Sequence, residues 1–305
     1  MSWSETLPLA GAGGEPVDLW RTIVSHGVAD LPPNRIDEDA RTLETTIALP
    51  RGRPRMVLVQ QGRGGQGLLT GRGTRSQAVL DGVHHILRLD EDLSGFYEAA
   101  RDDPDLAWVT TGAGRLLRSQ TVFEDVVKTI CTTNCAWSGT VRMVNAIVEH
   151  LGEPAVGAPS EGPFGRAFPS PAAMAAAPEE FYRDVARAGY RGAYLRSLAE
   201  SVVSGDVDLE ELASADPEDL PDDEVAARLL ALPGVGPYAA AHVMMLVGRY
   251  SRLVLDSWTR PTFASLNGGK TAKDKAIERR FRRYGRYAGL AFWLFLTRDW
   301  VAEPA

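Results

Sequence analysis

Apolar positions along the 305-residue chain fall into two regimes. Up to about residue 90 the short stretches alternate. Arg41 to Leu49 (RTLETTIAL) and Arg55 to Gln60 are rich in Thr, Val and Ile at a spacing of two, which predicts half-buried strands. Asp18 to Ser25 and Ser76 to Leu87 (SQAVLDGVHHIL) carry the wider spacing of short helices. Gly62 to Gly73 contains six glycines and reads as loop, and residues 1 to 14, small, polar and glycine-bearing, read as disordered. These signals predict a small antiparallel α+β domain over 1–90. From 91 to 305 helical spacing takes over. Val122 to Leu151 is long and amphipathic, broken at Thr132-Thr133-Asn134 by residues that favour caps and bends. Gly152 to Ser170 is a linker, Phe168-Pro169-Ser170 opens an alanine-rich helix, Thr259 to Gly269 reads as loop, and Tyr287 to Trp293 opens a last apolar helix. The fold class expected is mainly α: a helical bundle preceded by the small α+β domain.

One stretch organises the second regime. Asp222 to Ala231 reads as a helix capped by Asp222 or Asp223, with Ala226, Leu229 and Leu230 on one face. Pro233-Gly234-Val235-Gly236 cannot continue it and marks a tight turn. Pro237 then stands at a first helical position, where its missing N–H costs nothing, and Tyr238 to Gly248 follows with Ala240, Val243, Met244 and Val247 as an apolar stripe. The hairpin spans 222–248. Its glycines allow close backbone approach, and free amides at the second helix's start suit a phosphate. No basic side chain lies in the turn, and the same pattern serves an ordinary αα-hairpin. About twenty residues on, Val254-Leu255-Asp256-Ser257-Trp258 ends an apolar run on a carboxylate. Asp256 there is either a helix cap or an acid available for chemistry, and one oxygen for each role makes the two compatible.

Composition narrows the class. At 44% apolar and 24% charged the chain is that of a soluble globular protein, and its N-terminus lacks the basic start and apolar core of a secretory signal. The longest apolar run, Tyr287 to Leu296, is half of what spans a bilayer. Cys131 and Cys135 are the only cysteines, placed at i, i+4 on an expected helix, which leaves no set for an iron–sulfur cluster and fits a cytoplasmic location. His26, His84 and His85 lack metal-ligand company and are assigned surface or packing roles. The net charge of −7 hides a polarity: Asp206 to Glu224 has ten acids and no Lys or Arg, whereas Lys270 to Arg286 has eight Lys or Arg against two acids. The basic segment suits either a phosphate backbone or solvent, and the acidic one should point away from nucleic acid.

Leu232-Pro233-Gly234-Val235-Gly236, a second helix, and an apolar run ending in Asp256 together resemble the helix-hairpin-helix DNA glycosylase superfamily. The resemblance implies that Asp256 is the catalytic carboxylate and that Gly234, Val235, Gly236 and Tyr238 meet the DNA backbone. Members that also cut the sugar carry a Lys two residues after the second hairpin glycine; here that residue is Tyr238, and a phenol cannot form an imine. A monofunctional enzyme of the bacterial 3-methyladenine glycosylase II type is therefore implied. It would use water as nucleophile, no metal in the chemistry, and at most a monovalent cation at the hairpin carbonyls. Ile130-Cys131-Thr132-Thr133-Asn134 and Gly189-Tyr190-Arg191-Gly192-Ala193-Tyr194 resemble segments of 8-oxoguanine DNA glycosylases. They imply Asn134 as filler of the gap left by a flipped base, Tyr190 as wedge and Arg191 as the group reaching the unpaired base. Without that context Asn134 reads as a cap, and Tyr190 and Arg191 as a core tyrosine beside a surface arginine. By register the base pocket maps to Trp258, His242 and Phe292, which depart from the 8-oxoguanine pattern; an aromatic pocket favours stacking on an alkylated, positively charged purine. The implied partner is duplex DNA containing a damaged base, bound by a monomer. The resemblance covers about residues 90 to 300. An 8-oxoguanine-type enzyme, a deaminated-purine enzyme and a hairpin protein that binds damaged DNA without catalysis remain open.

Overall fold

The computed structural model describes residues 2–301. The N-terminal part is a five-stranded antiparallel sheet. Its strands are β1 (Ser2–Leu7), β2 (Arg35–Asp37), β3 (Thr42–Ile47), β4 (Arg55–Gln61) and β5 (Gly67–Arg72), in the order β1-β5-β4-β3-β2. Two expectations are corrected here. Residues 2–7 are a paired strand, with Trp3, Glu5 and Leu7 half-buried on one face while Ser2, Ser4 and Thr6 face out. The glycine-rich stretch divides: Gly62 to Gln66 is the turn of a hairpin, closed by Gly62 N–H to Gln66 O at 2.7 Å, and Gly67–Arg72 is β5. Gly71 explains why a strand tolerates glycine there. A Cβ at that position would stand 2.5 Å from the Trp3 ring, so the bare backbone is what lets Trp3 lie across the sheet.

Short helices α1 (Leu19–Ile23) and α2 (Gln77–Ile86) pack with the sheet, and Asp18 caps α1 by accepting from Arg21 N. Val83, Val79, Ile47, Val59 and Leu69 sit in that core, and Leu117 from beyond residue 90 joins it. The remainder is helical: α3 (Ser94–Ala100), α4 (Val122–Thr132), α5 (Trp137–Leu151), α6 (Pro171–Ala176), α7 (Arg191–Ser204), α8 (Glu211–Ser214), α9 (Asp222–Leu230), α10 (Pro237–Leu246), α11 (Thr259–Leu266), α12 (Asp274–Phe281) and α13 (Ala288–Thr297). Thr132-Thr133-Asn134 does separate two helices, so Cys135 lies in the turn and not on a helix with Cys131. The stretch after Asp256 is corrected from loop to helix α11 over Thr259–Leu266.

Every residue of α13 is buried, which accounts for its lack of a polar face. The helical body has two apolar cores, one among α4, α5, α7, α9 and α10 and one around α13, which is its central rod, ringed by Phe96, Phe263, Phe281 and Tyr287. Among the described residues, no helix is long and apolar enough to cross a membrane. Gly289 at its start donates to Tyr250 O at 2.6 Å, and a Cβ there would come within 2.1 Å of Arg252 O. The rod and the loop leading to Asp256 are thus in backbone-to-backbone contact. The two parts of the molecule are tied by buried polar contacts: Arg115 pairs with Glu15, Lys128 Nζ donates to Leu31 O at 3.2 Å, and Trp293 Nε1 donates to Ser25 O at 2.9 Å.

Candidate functional site

The hairpin forms as its sequence requires. Helix α9 ends at Leu230, Val235 N–H closes the turn onto Leu232 O at 3.2 Å, and α10 begins at Pro237. The two glycines do different jobs. Gly234 has φ +82, and a Cβ on it would meet the Tyr194 ring at 2.7 Å, so it serves both the turn and the packing of α7. Gly236 has nothing within 4 Å of where a Cβ would be, so its face is open to an approaching molecule. The N–H groups of Gly234, Gly236, Tyr238 and Ala239 meet no acceptor among the described residues. That leaves a set of donors at the positive end of a ten-residue helix. Val235 is not part of the set: its amide is spent inside the turn and its side chain is 7% exposed.

Asp256 stands at the start of α11. Its Oδ1 accepts from Trp258 N at 2.9 Å and Thr259 N at 2.7 Å, while Thr259 Oγ1 accepts from Asp256 N at 2.8 Å. This reciprocal pair is a capping box, and it fixes the carboxylate's orientation. Oδ2 makes no hydrogen bond among the described residues, and the side chain is half-buried. Tyr238 and His242, one turn apart on α10, both feel Asp256. Burial and the Asp256 charge raise the Tyr238 phenol, and its hydroxyl lies 3.4 Å from Thr132 Oγ1 at the end of α4. Burial lowers His242 to about 4 against an opposing pull from Asp256, so its ring is neutral.

A ridge runs from the hairpin to the α4–α5 turn. Tyr194 packs on Gly234 and, edge to face at 5.7 Å, on Tyr190. Tyr190 is 54% exposed at the start of α7. Asn134 is exposed in the left-handed region at φ 47, which few residues other than glycine and asparagine adopt. Arg191 lies beneath, 7% exposed, with its Nε donating to Thr133 O at 3.0 Å and its Nη2 to Asn134 O at 2.9 Å and to Thr133 O.

A cleft of about 490 Å³ opens between the N-terminal part and the helical body, lined by Trp20, His26, Asp30, Glu38, Trp137 and Trp300 among others. Trp258 packs on Trp300 at 5.6 Å and on Trp293 at 5.7 Å, so the wall of the cleft reaches back to the Asp256 loop. His26 donates from Nε2 to Leu117 O at 2.5 Å, which fixes its tautomer, and its ring meets that of His242 edge-on at 6.2 Å. His26 Nδ1 and His242 Nε2 are both buried with no partner. Burial first, then the two imidazoles' inability to carry charge side by side and the Lys128 and Arg88 charges, lower His26 to about 3 against the pull of its hydrogen bond to Leu117 O.

The sequence matches no family model and no curated protein. Solved structures are similar. An 8-oxoguanine glycosylase/lyase from Clostridium acetobutylicum superposes with a TM-score of 0.71 at 23% identity, over 93% of this chain and 94% of that one. A 3-methyladenine DNA glycosylase from Archaeoglobus fulgidus does so with a TM-score of 0.70 at 21% identity, over 98% and 100%. The fold is that of the helix-hairpin-helix DNA glycosylases. The same glycosylase fold appears, with a TM-score of 0.70 at 23% identity over 93% of this chain and 92% of that one, in the clostridial enzyme bound to double-stranded DNA containing cytosine opposite 8-oxoG.

Within this glycosylase fold the expected residues gather on one side. The hairpin, Tyr238, Asp256, Asn134 and Tyr190 are linked by the contacts above. Three expectations change. Val235 offers no amide to a backbone. Phe292 is fully buried between Phe263, at 6.2 Å, and Phe281, at 5.3 Å, so it is a ring of the core and faces no cleft. Arg191 does not project outward as a base-reading group would. Three cleft residues, Trp20, Trp137 and Trp300, escaped the sequence reading, and His26 was read only as a surface or packing residue. The one signal of the three was tryptophan placed where no apolar periodicity asks for it, as at Trp137 on the outer face of α5. The basic segment is partly neutralised, by Arg280 with Asp105 and Arg283 with Asp103, while its own Asp274 is taken up by Arg260 from outside it. Lys270, Lys273, Lys275, Arg279 and Arg282 remain exposed without an ion pair among the described residues.

Proposed function

We propose that this chain is a monofunctional DNA N-glycosylase that extrudes a damaged purine, alkylated in the first instance, and hydrolyses its glycosidic bond. The observation that carries the proposal is the division of labour at Asp256. One oxygen is locked by two amides, and the other is unengaged beside a neutral phenol and a neutral imidazole. A carboxylate so placed stabilises positive charge developing on a sugar and orients water against it. The free amides of Gly234, Gly236, Tyr238 and Ala239 hold the phosphate rail on the hairpin side, and the Val235 carbonyl, which accepts no hydrogen bond, is among the groups that would hold a monovalent cation there. Such an ion would add positive charge at the phosphate and take no part in bond cleavage. The ring faces of Trp137 and Trp300 and the carboxylates of Asp30 and Glu38 suit a flat cationic base. With tyrosine at position 238 no residue of the hairpin supplies an amine for a Schiff base.

The test is multiple-turnover base release from duplexes that each carry one lesion: an alkylated purine, 8-oxoguanine or hypoxanthine. The expected result is release of the alkylated purine with intact sugar, and no covalent adduct on borohydride treatment. A trapped adduct overturns the monofunctional assignment, and preferred release of 8-oxoguanine overturns the alkylated one. Absence of any release, with lesion binding retained, returns the chain to the damage-binding class.

A further inference from the structure

The guanidinium of Arg191 is occupied. Its Nε and Nη2 together satisfy the carbonyls of Thr133 and Asn134, and its plane lies 4.6 Å from the Tyr190 ring. These carbonyls follow the last turn of α4, where the helix leaves its C=O groups unpaired and favours a cation. They also belong to the one turn that carries Asn134 at φ 47, a conformation that needs support from its surroundings. Only Nη1 of Arg191 makes no hydrogen bond to the protein among the described residues. The strongly discriminating arginine contact to a base edge is bidentate, and a fork with only Nη1 free cannot make it. Withdrawing the fork toward a base would strand two carbonyls and release the Asn134 turn.

We infer that Arg191 is a positioning residue: it clamps the Asn134 turn and seats Tyr190 against it, and it does not read the base left opposite the extruded nucleotide. The substrate property that follows is indifference to the opposite base. The inference rests on the proposed glycosylase reading for its setting, and binding alone tests it.

The probe is a duplex with a tetrahydrofuran abasic analogue opposite each of the four bases, measured for affinity, with 2-aminopurine at the opposite position as a fluorescence readout of its stacking. Wild-type affinities should agree within about threefold across the four duplexes, since no donor pair discriminates among them. Arg191→Ala should weaken all four equally, by roughly ten- to hundredfold, because a clamp made of charge-assisted hydrogen bonds is lost. Asn134→Gly removes the filler and also the need for support at positive φ. In that background Arg191→Ala should cost much less than it does alone. Arg191→Lys, which keeps the charge and loses the fork, should recover only part of the loss and leave the four-base profile flat. A change in the ranking of the four bases on Arg191→Ala overturns the inference, as does full additivity with Asn134→Gly. Thermal melting of each variant separates these outcomes from failure to fold. A wild-type chain that binds the abasic-analogue duplexes as described but releases no base from the lesion duplexes would sink the glycosylase reading and leave the clamp standing; no binding to any abasic-analogue duplex would sink both.

Discussion

The hairpin ridge and the acidic back, residues 206–224, use their polar groups in opposite ways. At the back most of the carboxylates are spent within the chain. Glu210 accepts from Val122 N at 3.0 Å and so caps α4, Asp208 and Asp216 cap their own turns, Glu211 and Glu224 hold Arg228, and Asp222 and Asp223 hold Arg249 and Arg252. On the ridge, four amides, one carboxylate oxygen and the Asn134 and Tyr190 side chains are left facing out. Under the proposed function, a chain of net charge −7 would therefore offer DNA a face whose donors are mainly backbone, with most of the acids turned to structural work elsewhere. Charge totals say little about a nucleic-acid partner when the sign is segregated in this way.

The largest break in that contrast should come from the ridge's unengaged carboxylate oxygen. Asp256→Asn keeps an oxygen to cap α11 and removes the negative charge. Base release should fall by about a thousandfold or more while lesion affinity changes little, as read by single-turnover release beside equilibrium binding. Loss of affinity in proportion to rate would mean that Asp256 only holds the fold together.

The two glycines sharpen the contrast next. Gly234→Ala places a Cβ at φ +82 and 2.7 Å from Tyr194, and should cost about 1–3 kcal/mol in denaturant unfolding. Gly236→Ala meets open space, so the unfolding free energy should stay within about 0.5–1 kcal/mol, while DNA affinity drops through crowding of the backbone approach. Equal stability losses at both positions would contradict an open face at Gly236.

Acid should reveal the buried imidazoles. His26 and His242 have folded-state values of about 3 and 4, below the ordinary 6.5, so the unfolded chain binds more protons between those limits. Their contribution to stability is full above about 6.5 and is lost as pH falls toward 4. Asp125, raised by burial to about 7, acts in the opposite sense over the same window. The measurement is therefore a difference: melting temperature against pH for wild type and for His242→Gln, with the variant showing the shallower fall on acidification. Parallel curves would mean that His242 is accessible to solvent.

The smallest effects compare single charges. Lys273→Gln should reduce the slope of log affinity against log salt by about 0.9 if that lysine meets a phosphate. Glu210→Ala should leave the slope unchanged and cost about 1 kcal/mol of stability through the lost cap on α4. A changed slope for Glu210→Ala would place the acidic back near the DNA after all.

Much of this was legible in the residues. The turn at 233–236, the break at 132–134 and the apolar helix at 288–297 follow from glycine, proline and periodicity, which act locally. What was missed depends on partners distant in sequence. β1 looks disordered until Gly71 makes room for Trp3, and β5 looks like loop because of two glycines, of which Gly71 answers to that ring and Gly67 to Leu7 and Leu9. Helix α11 is opened by a capping box whose acid already had a chemical role assigned to it. Phe292 lay in the right register for the pocket, but register along a helix that is buried on every side does not say which face meets the cleft. Arg191 looked like a surface group until its carbonyl partners, nearly sixty residues earlier, came into contact with it.

Trp258, Trp293 and Trp300 form a triangle with ring centres 5.6 to 5.7 Å apart; Trp258 and Trp300 are more than a third exposed, and Trp300 lines the cleft. Indoles that close share excitation, so a planar guest sliding against any one of them dims the emission of the set. The protein thus carries a label-free optical gauge of occupancy, and, under the proposed function, its own ultraviolet fluorescence would time the arrival of an everted base without a dye on either partner.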